Sequence, residues 1–124
     1  MHVVVQRDNP EDTKKGLFKT IQLLKDKPRH LLIFPEGTRH HDGNLHPFVP
    51  GFAILAAKLK RPVIPIMVDN LYKLFPKKRF LLDSSVREVK IVVGSPLYIQ
   101  ESESIKDFCQ RVQTTCNTLL NGLR

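Results

Sequence analysis

Glu36, Gly37, Thr38 and Arg39 stand in a row behind an apolar run and a proline, in the stretch "LLIFPEGTRHHDG" at 31–43. Each brings a different capacity. Arg39 offers a planar fork of donors that matches a phosphate. Thr38 adds a hydroxyl, and Gly37 lets backbone N–H groups approach a ligand closely. Glu36 can accept from a substrate hydroxyl or orient Arg39. Together they suit the binding of a phosphorylated polyol. They also suit a plain turn in which Glu36 and Arg39 form a surface ion pair. Four residues alone leave both readings open.

Two other clusters invite chemistry. His40, His41, Asp42 and His46 have metal-ligand character, but neighbouring histidines point in different directions and no further ligand at helical spacing supports them, so a solvated polar loop is expected. The run "FPKKRF" at 75–80 is basic with aromatic flanks, which suits anionic lipid headgroups or a merely solvated loop. No nucleic-acid motif accompanies it. A Gly-x-Ser-x-Gly elbow and a phosphate-binding loop are both missing from the sequence, which removes esterase and kinase readings.

These residues need elements to position them. "HVVVQ" at 2–6 reads as a short buried strand. "RDNPED" behind it starts a helix, with Asn9 as cap, Pro10 in the first helical position and Glu11 and Asp12 complementing the dipole. Leu17, Ile21 and Leu24, with Phe18, are expected on the inward face of that helix, which Pro28 ends. "HLLIF" (30–34) predicts a second strand, and "PGFAILAAKLK" (50–60) a helix ending before Arg61-Pro62. "VIPIMV" (63–68) predicts a third strand and "VREVKIVVG" (86–94) a fourth, with an irregular basic stretch between them. Ile105, Phe108, Cys109, Val112, Cys116, Leu119, Leu120 and Leu123 recur at steps of three and four, the stripe of a long closing helix. The alternation implies an α/β fold with a mixed, largely parallel sheet flanked by helices. "FPEGTR" then lies beyond the carboxyl end of a strand, where open α/β sheets bind ligands.

Composition bounds the answer. The 124 residues make one domain or part of one, and 41% hydrophobic content can bury a core. Lysine and arginine number 20 against 12 acidic residues, a net charge of +8 that favours anionic partners. The longest apolar runs fall far short of the roughly 20 residues of a membrane-spanning helix. Cys109 and Cys116, two helical turns apart, would stand about 10 Å apart and read as core thiols rather than a disulfide.

"FPEGTR", a short polar loop, "PF" (47–48), a helix of small residues and "VIPI" (63–66) resemble, in that order, the third and fourth motifs of the glycerolipid acyltransferase family, most closely its 1-acylglycerol-3-phosphate acyltransferases. "VVVQRDN" (3–9) resembles the family's second motif and "VKIVVGSPL" (89–97) its late strand and Gly-x-Pro turn. The resemblance implies that Arg7 and Arg39 contact the substrate phosphate. It also implies that Glu36 and Gly37 shape the site of the glycerol, with Thr38 among the substrate-binding residues, and that Pro65 helps form the acyl-donor side. By the same resemblance, acyl-coenzyme A is the co-substrate with no further cofactor, lysophosphatidic acid is the acceptor, and the protein associates with a membrane surface, at the endoplasmic reticulum in a eukaryote, without a nucleic-acid partner. Three positions depart from the pattern: Gln6 replaces an acid, His40 a small polar residue and Val49 a basic one.

The family's first motif is His-x-x-x-x-Asp, whose histidine is the general base. Five positions after His2, His30, His40, His41 and His46 stand Arg7, Pro35, Leu45, His46 and Gly51, so none completes it. The expectation is that residues 1–124 are the carboxyl-terminal part of a single acyltransferase domain, incomplete at the amino end and inactive alone. The alternative is a non-catalytic remnant that still binds lipid phosphate.

Overall fold

The computed structural model describes residues 9–38, 40–74, 85, 86 and 88–124. Helix α1 runs Pro10–Leu24. It begins where Asn9 Oδ1 accepts the Glu11 N–H at 3.0 Å, with Pro10 in the first turn, as the sequence implies. Gly16 and Leu24 are buried on it, but Phe18 is 65% exposed. At 100° per residue Phe18 stands about 90° round from the mean direction of Leu17, Ile21 and Leu24, which takes it off the inward face.

Past α1 the chain is tied down from a distance. The Arg61 guanidinium donates to the carbonyls of Leu24 and Lys27, both at 2.7 Å, and of Arg29 at 3.0 Å. Residues 30–34, expected as a strand, form no ladder with another described segment, and Leu31, Leu32, Ile33 and Phe34 are all exposed. Successive side chains of an extended segment point to opposite faces, so both faces are uncovered. The other strand expected in the amino-terminal part, 2–6, lies outside the described residues.

Helix α2, Gly51–Leu59, buries Phe52, Ala53, Leu55 and Ala56, and ends at left-handed Lys60, whose N–H donates to Ala56. Strand β1, Ile66–Asp69, pairs antiparallel with β2, Lys90–Val93, with Ile66 opposite Val93 and Asp69 opposite Lys90. The ladder is shorter than the runs that predicted it. Val63 bridges Leu97 separately, because Pro65 between them has no N–H to continue a ladder. A one-turn helix α3, Leu71–Leu74, follows β1.

The longest element is α4, Ile105–Leu123, capped by Ser104, whose hydroxyl accepts the Asp107 N–H at 3.0 Å. Its stripe is the one expected: Phe108, Cys109, Val112, Cys116 and Leu120 are buried against Phe52, Ala53, Ala56 and Met67. Both cysteines are free thiols in that core. Arg111 braces the entry to α4, donating to both carboxylate oxygens of Glu103 at 2.8 Å and to the Tyr98 carbonyl at 2.6 Å. The architecture is thus α/β, helices packed on a sheet whose described pair of strands is antiparallel. Among the described residues no helix is long and apolar enough to cross a membrane.

Candidate functional site

Pro35 and Gly37 build the turn that carries Glu36. The Gly37 N–H donates to the Phe34 carbonyl at 3.1 Å, closing four residues with proline in the second place, and Gly37 sits at φ +74°. That left-handed conformation is one glycine adopts without steric cost. Beyond the turn the chain makes a loop and returns, and the Val49 N–H closes its base on the Pro35 carbonyl at 2.7 Å. Inside the loop, Glu36 Oε2 accepts the His46 N–H at 3.0 Å.

The histidines give this loop an internal structure. His40 and His46, six residues apart, stack with ring centroids 3.5 Å apart and planes 12° from parallel. His40 Nε2 lies 3.8 Å from Glu36 Oε2, and His46 Nε2 meets both oxygens of Asp42 at 3.0 and 3.1 Å. The Asn44 backbone N–H, and after it His46, hold the Asp42 carboxyl down to about 2. Among the described residues no group of three His, Cys, Asp or Glu side chains is placed to hold a metal ion.

The loop is fastened to the core at Pro47-Phe48. The Phe48 N–H donates to Gln113 Oε1 on α4 at 3.2 Å, and the Cys109 thiol points at the Phe48 carbonyl at 3.8 Å. The Phe48 ring meets Phe52 edge-on, and Phe52 leans on Phe108. Burial, helped by the Glu36 carboxylate, pushes the Cys116 thiol up to about 11, so it stays protonated and unreactive. On the far side, Gly43 has φ +70° and faces the Tyr72 ring at a distance that leaves no room for a Cβ. Arg124 donates to the Gly43 carbonyl and to both oxygens of buried Asp69.

Of the residues chosen from sequence, Glu36, Gly37 and Thr38 share one turn, with Thr38 exposed. Arg7 and Arg39 lie outside the described residues, as does the basic run 75–80. Pro65 is buried, and its carbonyl accepts the Gly94 N–H at 2.8 Å. A Cβ on Gly94 would stand 2.8 Å from both Pro65 Cγ and Leu119 Cδ1, which explains the glycine of the Gly-x-Pro turn as a close-packing requirement. Arg61, Tyr72, Gln113 and Arg124 brace the site without having been singled out in the sequence. Only the Asp42-Gly43 dipeptide left a local turn signal.

With this geometry in place, comparison with known proteins is decisive for the family. Residues 1–69 match the acyltransferase family model. The chain belongs to the acyltransferase family. It is 33% identical over 92 residues to a 1-acyl-sn-glycerol-3-phosphate acyltransferase of Limnanthes douglasii, covering 74% of this chain and 31% of that one. A chloroplastic enzyme of the same name from Brassica napus is 31% identical over 106 residues, 85% of this chain and 30% of its own. The human alpha enzyme is 24% identical over 121 residues, 98% and 43% of the two chains. The fold is shared with the crystal structure of the 1-acyl-sn-glycerophosphate (LPA) acyltransferase PlsC from Thermotoga maritima, at TM-score 0.78 and 24% identity, covering 90% of this chain and 47% of that one. This acyltransferase chain therefore spans about a third of the length of the plant relatives it matches. The family match contains the Pro35–Thr38 turn and its loop, and α4, which anchors them through Gln113, lies beyond it.

Proposed function

We propose that the chain is part of an enzyme that moves a fatty acyl group from acyl-coenzyme A to lysophosphatidic acid, giving phosphatidic acid in phospholipid biosynthesis. The observation that carries this reading is the Pro35–Thr38 turn: in a chain whose curated relatives are named 1-acyl-sn-glycerol-3-phosphate acyltransferases, Glu-Gly-Thr sits on a left-handed glycine turn with Glu36 braced by His46, and Arg39 is next in the chain. In the reaction the acceptor hydroxyl oxygen attacks the thioester carbonyl. An ester C–O bond forms, the C–S bond breaks, and the hydroxyl proton passes by way of a base to the leaving thiolate. Arg39 and Arg7 hold the acceptor phosphate, Glu36, Gly37 and Thr38 shape the glycerol pocket, and Pro65 supports the donor side. The base belongs to a His-x-x-x-x-Asp motif that these 124 residues do not contain, so residues 1–124 form the carboxyl-terminal part of one catalytic domain and do not turn over alone. No cofactor beyond the acyl-coenzyme A co-substrate is required, nucleic acid is not a partner, and the protein works at a membrane surface, that of the endoplasmic reticulum in a eukaryote.

The test has two arms. Purified residues 1–124 should transfer no acyl group from acyl-coenzyme A to lysophosphatidic acid above background, and clear turnover would refute the assignment of the base. In a chain completed with the first motif, Arg39→Ala should lower kcat/KM roughly ten- to a hundredfold, since a charge-assisted hydrogen bond contributes about 1.5–3 kcal/mol. Arg39→Lys should recover part of the loss, and an acceptor without phosphate should be used equally poorly by parent and variant. Equal activity of parent and Arg39→Ala on lysophosphatidic acid removes the phosphate assignment.

A further inference from the structure

The outward face of α1 carries one exposed ring in a field of lysines. At 100° per residue Glu11, Lys14, Lys15, Gln22 and Lys25 all fall within about 60° of Phe18, and every one of them is exposed. Lys19 flanks the same face and is exposed as well. The inward side of the helix is already used, with Gly16 and Leu24 buried and the helix packed on α2. The outward face therefore combines a phenyl group that makes no hydrogen bond with four cations and one carboxylate, and that carboxylate sits in the first turn, where it complements the helix dipole.

We propose that this face of α1 docks on an anionic bilayer surface, with Phe18 entering the headgroup layer and Lys14, Lys15, Lys19 and Lys25 lying against lipid phosphates. Charge complementarity selects the partner. Lysines near a negative membrane surface each strengthen binding, and the attraction acts within a Debye length. A single aromatic at the centre of the stripe suits insertion between headgroups. Sequence readout of duplex nucleic acid relies chiefly on arginine forks, and this face carries no arginine and a single amide, Gln22. The inference does not rest on acyl transfer, because binding is measured without turnover.

The experiment is flotation of the full 124-residue chain with 100-nm vesicles of phosphatidylcholine alone, or with 30% phosphatidylglycerol, so that aggregated protein sinks and bound protein rises. The chain should float with the anionic vesicles, remain below with the neutral ones, and be released when salt is raised from about 0.1 M to 0.5 M. Lys14→Ala/Lys15→Ala/Lys25→Ala should weaken partitioning on the order of a hundredfold, at roughly fivefold per lysine. Phe18→Ala should weaken it by roughly three- to tenfold. A charge-matched control elsewhere, Lys58→Ala/Lys73→Ala/Lys106→Ala, three exposed lysines off this face, should bind nearly as the parent does. Equal loss in the control and α1 variants would show a net-charge effect and overturn the proposal. So would equal flotation with neutral vesicles, or displacement from anionic vesicles by a 20-base-pair duplex at equimolar phosphate.

Discussion

Glu36 accepts the backbone N–H of His46 across a ten-residue loop, at 3.0 Å. One carboxylate oxygen thus serves the shape of the loop while the side chain stays about a quarter exposed. Structural and functional roles of Glu36 can be separated by substitution. Glu36→Gln keeps an acceptor for His46 and should cost less than about 1 kcal/mol of stability, whereas Glu36→Ala leaves the N–H without its partner and should cost about 1–2 kcal/mol in urea unfolding. If Glu36 also shapes the substrate site, both variants in a completed chain should lose activity. Loss in Glu36→Ala alone would make it a loop brace only.

Gly43 shows how tightly that loop is held from outside. A Cβ there would stand 2.6–2.8 Å from the Tyr72 ring, on a backbone already at φ +70°. Gly43→Ala should destabilise by about 1–3 kcal/mol through both effects. The two causes part in a double-mutant cycle: Tyr72→Ala should relieve the clash but leave the strain of a left-handed alanine. Additive losses in the cycle would mean that the ring yields freely and the clash is unimportant.

Legibility in the sequence followed the range of the interaction. The start of α1 was readable because Asn9, Pro10 and Glu11 act on adjacent backbone groups, and α4 because its stripe repeats over 19 residues. The Pro35–Gly37 turn was readable because proline fixes its own φ and glycine admits the left-handed one that the turn uses. Phe18 was placed on the wrong face, since a residue at the edge of a helical stripe is settled by its neighbour in space, here α2. The length of β1 was overestimated, since "VIPIMV" is apolar throughout but Pro65 cannot donate to a ladder. The braces Arg61 and Arg124 left no mark at all. Their acceptors lie 32 to 81 residues away, and a carbonyl has no sequence signature.

Arg61 holds the end of α1 and the connection that leads into the site, through the carbonyls of Leu24, Lys27 and Arg29. Removing it takes the guanidinium from all three carbonyls and leaves that of Leu24, at the end of α1, with the Lys27 N–H alone and that of Lys27 with the Arg29 N–H alone. Arg61→Ala should lower unfolding free energy by about 2–3 kcal/mol, and Arg61→Lys should restore less than half, because one ammonium cannot reach three carbonyls from a single plane. Hydrogen exchange should locate the effect, with protection lost at the end of α1 before α4 changes. Uniform loss of protection would instead mark Arg61 as part of the global core.

The ion pair between Arg124 and Asp69 gives the fold a dependence on acid. Asp69 is buried, and the Arg124 guanidinium lies 3.1 Å from Oδ1 and 3.3 Å from Oδ2. The guanidinium, with the Asn70 backbone N–H after it, holds the Asp69 carboxyl below the ordinary carboxylate value against the opposing effect of burial. A group whose pKa is depressed on folding stabilises fully above its unfolded value of about 4, and that contribution is lost as pH falls through the lower, folded value. Arg124→Ala removes the cause and leaves a buried carboxylate unpaired, so at pH 7 it should destabilise by about 1–3 kcal/mol. The gap between parent and variant should close as pH falls below 4, because the variant can relieve its buried charge by taking up a proton while the parent loses the pair. Asp69→Asn should flatten the acid limb of the stability profile without making the chain more sensitive to salt. Identical pH profiles for parent and Arg124→Ala would show that the guanidinium does not set the Asp69 titration.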